Sequence, residues 1–121
     1  MKKIVYILTE DPKERTELIS SALAQALTSI GFGYECELFL MDRAVKLFTP
    51  EYIEGLKAQS FEPITHLFQL YRDLGGKIYG CNAAMAAHSI KSETCAGGIT
   101  GFVNATKLLE CSMEADAVFT Y

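Results

Sequence analysis

Ile4-Val5-Tyr6-Ile7-Leu8 is an unbroken run of β-branched, aromatic and aliphatic residues. It is too short for a helix and lacks the alternation of a half-wetted strand, so it fits a strand covered on both faces and hence a parallel sheet. Asp11-Pro12-Lys13-Glu14 follows as an N-cap, a proline at the first helical position and a carboxylate three residues after the cap, which predicts a helix from Pro12 or Lys13. Leu18, Ile19, Ala22, Leu23, Ala26, Leu27 and Ile30 recur at helical spacing, and Gly31 marks the helix end. After the Gly31-Phe32-Gly33 turn, Tyr34 to Met41 alternates and then becomes wholly apolar, the pattern of a second strand.

Asp42 to Phe48 fits no single period. Thr49-Pro50-Glu51 opens a short helix expected to reach about Ala58, and another opens near Pro63 with the stripe Ile64, Leu67, Phe68, Tyr71 and Leu74. Gly75-Gly76 stops that helix before a short third strand, Lys77-Ile78-Tyr79-Gly80. Cys81 stands at its end, and Asn82 is placed to cap a small-residue helix over Ala83 to His88. A loop is expected around Cys95-Ala96-Gly97-Gly98, a fourth strand near Ile99 to Phe102, a helix over about Val103 to Met113, and a last strand over Ala117 to Tyr121. Alternating strands and helices predict a single α/β domain over residues 1–121, a three-layer sandwich with a mostly parallel five-stranded sheet.

Length agrees with this picture: 121 residues suit one domain, which needs neither disulfide nor metal to complete a core. A net charge of −4, with Lys and Arg only singly or in pairs, argues against the basic face that phosphate neutralisation demands, so no nucleic-acid partner is expected. The longest apolar runs fall far short of the roughly 20 residues that cross a bilayer, and no secretory signal pattern opens the chain. A cytoplasmic protein without a membrane partner is expected. Hydrophobic residues make up 50 %, rich enough for a small domain that some are expected at a subunit interface. Phe39-Leu40-Met41 and the region of Phe48, Tyr52 and Phe61 are candidates for such contacts, or equally for the core.

In parallel α/β sheets, reactive groups gather at the carboxyl ends of the strands. The loop after the first strand, Thr9-Glu10-Asp11-Pro12, has carboxylates where a phosphate loop needs glycines. Gly97-Gly98-Ile99-Thr100-Gly101 is glycine-rich but precedes a strand and lacks the Lys-Ser/Thr of a nucleotide site. The third strand ends in Cys81, where a phosphoacceptor receiver domain would carry aspartate. Cysteine at a strand end and before a helix start is where orphan N–H groups favour a thiolate, with Asn82 and Ala83 as its supporting neighbours. The bland alternative is a packed, inert thiol, common for this residue type. Cys36 and Cys111 fall within a strand and a helix and are expected in the core. Cys95 is the candidate resolving thiol if the fold brings it near Cys81. The cysteines show no C-x-x-C spacing, which disfavours zinc, and His88 lies two helical turns from Cys81, about 10 Å away and too far for a Cys-His dyad. His66 is expected at the surface, and Met85 and Tyr79 in packing.

The run Lys77-Ile78-Tyr79-Gly80-Cys81-Asn82-Ala83-Ala84-Met85-Ala86-Ala87-His88-Ser89-Ile90 resembles the DsrE/DsrF-like (DsrE/F/H, YchN-like) sulfur-relay family, with Ser89 in place of the usual glycine. The likeness extends over essentially the whole chain, through the opening Lys-Lys-Ile-Val strand, the segment Phe39 to Arg43 and the closing Glu114 to Tyr121. It implies an α/β/α sandwich, assembly as homo-trimers or hexamers and, in members that keep the cysteine, carriage of sulfur as a persulfide. Only the family's cysteine carries over, onto Cys81.

Three functions are thus expected to compete. The lead is a sulfur carrier, a sulfurtransferase-like protein that takes sulfane sulfur onto Cys81 from a donor protein and passes it to an acceptor protein. It calls for no metal or organic cofactor. The second is a thiol redox protein using Cys81 with Cys95. The third is a non-enzymatic oligomeric scaffold or binding protein in which Cys81 is merely packed.

Overall fold

A computed structural model describes residues 1–95 and 97–121. Ala96, within the loop expected around Cys95 to Gly98, lies outside the described residues. Five strands, β1 (Lys3–Leu8), β2 (Glu35–Leu40), β3 (Lys77–Cys81), β4 (Gly101–Val103) and β5 (Ala117–Thr120), form one sheet in the order β4-β3-β2-β1-β5. Every pairing is parallel, with Tyr6 opposite Leu38, Phe39 opposite Tyr79, Cys81 opposite Val103 and Val5 opposite Val118. The expected α/β sandwich is what forms, and its sheet is wholly rather than mostly parallel.

The pleat sorts β1 and β2 into two faces. Ile4, Tyr6, Leu8, Leu38 and Leu40 pack into the larger core, together with Ile19 and Leu23 of α1 (Thr16–Gly31) and Ile64, Phe68 and Tyr71 of α3 (Ile64–Asp73). On the other face, Val5, Phe39, Tyr79 and Val103 form a smaller core against Leu108 and Cys111 of α5 (Ala105–Glu114). Burial on both sides is why β1 reads as a continuous apolar run and β2 ends in one, Leu38-Phe39-Leu40. Phe39, Leu40 and Phe48 are fully buried, so they are core and not subunit contacts. The large exposed apolar side chains include Phe32, Leu74, Leu109 and Met113 instead.

Several boundaries differ from those read in the sequence. α1 begins at Thr16, not Pro12 or Lys13. Asp11 accepts the Lys13 N–H on its side chain and the Arg15 N–H on its carbonyl, closing one isolated turn, and Arg15 then leaves helical geometry (φ −125°, ψ 53°). The glycine that ends α1 is Gly33 (φ +83°), not Gly31: Tyr34 N–H reaches Ser29 O and Gly33 N–H reaches Ile30 O, a Schellman ending. Asp42–Phe48 is a 3-10 helix. The helix opened by Pro50 is only α2 (Pro50–Ile53), because Glu54 turns extended and Gly55 takes φ +80°. α4 (Asn82–Ala87) is capped by Cys81, with Asn82 the first helical residue and not the cap, and no side chain bonds into its first turn. α5 does have a side-chain cap, Asn104 accepting the Lys107 N–H at 2.9 Å. No helix among the described residues is long and apolar enough to cross a membrane.

Candidate functional site at the end of strand β3

Gly80 explains how Cys81 is held. A Cβ built on Gly80 would come 2.7 Å from Met85 Sδ and 2.9 Å from a Phe48 ring carbon, so only a residue without a side chain lets α4 fold back over the strand it follows. Met85 and Ala84, both buried, fix α4 to the larger core. Cys81 itself is half-buried and packs at the rim of both cores. Asn82 and Ala83, beside it, are exposed.

The far end of α4 is equally determined. Ile90 N–H bonds Met85 O at 2.8 Å and Ser89 N–H bonds Ala86 O at 3.2 Å, a second Schellman ending. Ser89 occupies its left-handed position at φ +56°, which favours glycine. A cleft of about 500 Å³ runs beside this helix, lined by Asn82, Met85, Ser89, Ile90, Lys91 and Phe102 among others.

The other cysteines have different surroundings. Cys36 is buried in β2, and desolvation pushes its thiol up to about 11 despite the nearby Tyr71 hydroxyl. Cys95 is buried against the larger core and donates its S–H to Lys91 O at 3.5 Å; burial raises its pKa, against the opposing pull of Arg72. Cys111 is half-buried under α5, raised first by burial and then by Glu37. All four thiols are free, with no disulfide joining Cys81 and Cys95. Tyr79 is packed beneath α5, with Lys107 Nζ 4.3 Å from its ring centre, and His66 is exposed.

Asp11 marks a cluster that sequence reading missed. It is 2 % exposed. Its carboxylate accepts the Tyr52 hydroxyl at 2.8 and 2.9 Å and lies 3.2 Å from Lys46 Nζ. Burial pushes this carboxyl upward, but the bonds from Tyr52, the Lys13 N–H and Lys46 outweigh it and hold the group below its ordinary value. Lys13 and Lys46 also stand over the Tyr52 ring, at 4.3 and 4.8 Å. The cluster ties the loop after β1 to the 3-10 segment and α2.

The model of the DsrE/DsrF-like family matches residues 2–121. The chain belongs to that family. Among solved structures it is similar to the YchN protein of E. coli, with 22 % identity, a TM-score of 0.77 and complete coverage of both chains. It is also similar to MTH1491 of Methanobacterium thermoautotrophicum, described as a protein of unknown function, with 14 % identity, a TM-score of 0.69 and complete coverage of both chains. At these identities the two likenesses establish the fold alone. No curated protein sequence matches the chain.

Proposed function

We propose that this family member is a sulfur carrier in which Cys81 holds sulfane sulfur as a persulfide and relays it between proteins. The observation that carries the reading is the placement of Cys81: it ends β3 at the carboxyl edge of a parallel sheet, half-exposed, while Cys36 and Cys95 are buried. Membership of the DsrE/DsrF-like family supports it.

Loading is a thiol exchange. The Cys81 thiolate attacks the outer sulfur of a donor persulfide, R–S–SH; a new S–S bond forms, the donor's S–S bond breaks, and the donor leaves as its thiolate, R–S⁻. The sulfane sulfur keeps its proton, so no oxidant or reductant is consumed. Delivery is the same step with an acceptor thiolate attacking the outer sulfur now on Cys81. Asn82 and Ala83 contribute first-turn N–H groups beside the sulfur, since those groups have no partner within the helix. The donor and acceptor are proteins, the setting is cytoplasmic, and the carrier is a homo-oligomer, a trimer or hexamer. Exposed Leu109 and Met113 on the outer side of α5 are suited to subunit contact.

Intact-protein mass spectrometry tests the reading. Folded wild type treated with a persulfide donor should gain one sulfur that maps to Cys81, and Cys81→Ser should gain none while keeping its circular dichroism spectrum. Absence of uptake by folded wild type would overturn it in favour of the scaffold, and a Cys81–Cys95 disulfide formed instead would favour redox chemistry.

A further inference from the structure

The Arg72 guanidinium lies partly buried between α3 and the loop ahead of β4, beside the start of β3. Its carbon is 4.4 Å from the centre of the Phe68 ring, and Nη2 donates to Gly98 O at 3.2 Å. Among the described residues it has no other hydrogen bond and no carboxylate within ion-pair distance, and its buried Nε is unpartnered. Desolvation disfavours its charge, lowering its pKa. Nearby stands the Cys95 thiol, whose pKa burial raises, disfavouring its anionic form. A half-desolvated guanidinium served by one carbonyl is an uncompensated cation.

An open cleft of about 250 Å³ adjoins it, lined by Arg72, Gly76, Ile78, Gly97, Gly98, Ile99 and Thr100. The glycines are needed there. A Cβ on Gly97 would sit 2.5 Å from Arg72 Nη1, and both Gly97 and Gly98 take positive φ, near +80°. Backbone therefore forms the wall nearest the charge. Thr100 adds a donor: its Oγ1 accepts the Ile78 N–H at 2.9 Å, so its own hydrogen is available to the cleft.

We infer that this cleft binds a small oxyanion, with Arg72 supplying the opposing charge and Thr100 a hydroxyl donor. The volume admits an inorganic oxyanion or a compact anionic headgroup, and guanidinium is the side chain best matched to two oxygens of one anion. Cys81 is not among the residues that line this cleft.

The test is a two-dimensional ¹⁵N NMR titration of the folded full chain with inorganic phosphate, and separately sulfate, at ionic strength held constant with sodium chloride. The expected result is a saturable shift of the Gly97, Gly98, Ile99 and Thr100 amides and of the Arg72 Nε–H resonance, with Arg72→Met weakening binding at least about tenfold. Arg72→Lys, which keeps the charge, should retain part of the affinity. No saturable shift in wild type, or shifts confined to the Lys2–Lys3 amides, would overturn the inference. If Arg72→Met does not fold, the wild-type Nε–H resonance alone decides.

Discussion

Gly80 and Met85 are pressed together so closely that a single added methyl would stand 2.7 Å from the Met85 sulfur. The strand's last turn of backbone and the helix after it are thereby one packed unit, with Cys81 at the joint. Gly80→Ala should lower stability by about 1–3 kcal/mol through overpacking, measured by urea unfolding. It should also change the alkylation rate of Cys81 in the folded protein, because the added methyl would crowd Met85 of the helix that begins beside Cys81 and Phe48 as well.

Asp11 makes stability sensitive to acid. Its folded carboxyl titrates below the ordinary value near 3.9, so its contribution is fully present above that value and is lost as pH falls through the folded one. Asp11→Asn should therefore cost about 1–3 kcal/mol at pH 6, and the gap from wild type should begin to narrow only below about pH 3.9 and be largely closed by about pH 2, as the folded carboxyl protonates. Parallel urea curves at the two pH values check the sign. An equal gap at both would contradict the assignment.

Ser89 holds φ +56° where its side chain gains no hydrogen bond among the described residues. Ser89→Gly should raise stability by up to about 1 kcal/mol by removing that backbone cost, offset in part by a more flexible unfolded chain. Thermal unfolding of the two proteins side by side reads the difference directly.

Tyr71 joins three elements. Its buried hydroxyl lies 2.7 Å from Lys77 O and 3.2 Å from Cys36 O, reaching from α3 to the starts of β3 and β2, and desolvation raises its pKa. Tyr71→Phe should cost about 1–2 kcal/mol and leave the fold unchanged. Hydrogen exchange should quicken first at the β2–β3 ladder near Ile78.

What was legible in the sequence follows from how each feature is written into it. β1 is visible because burial on both faces leaves an uninterrupted apolar run, β2 because its alternation passes into the apolar Leu38-Phe39-Leu40, and α1 and α3 because each keeps a one-sided stripe. Cys81 was visible because its position depends only on the strand before it and the helix after it. Asp11 resembles a helix cap because its local neighbours fit a capping pattern, while the partners that bury it stand 35 and 41 residues away. Arg72 gave no signal at all: the glycines that wall it in arrive with a loop from another part of the chain, and no local period records that meeting. The true start of α1 is hidden for a related reason, since Pro12 fits a helix well and only the dihedrals of Arg15 break it.

The pairing of β1 with β5 sets a timetable for synthesis. Lys3 N–H bonds the Asp116 carboxylate across a separation of 113 residues, and β1 lies between β2 and β5 in the sheet. At ribosomal speeds of roughly 5–20 residues per second, one flank of β1 stays unpaired for on the order of 10 s after it is made. During that interval a nascent chain displays a bare apolar strand edge to its surroundings, the kind of template that holding chaperones cover and that crowded polysomes risk pairing with one another.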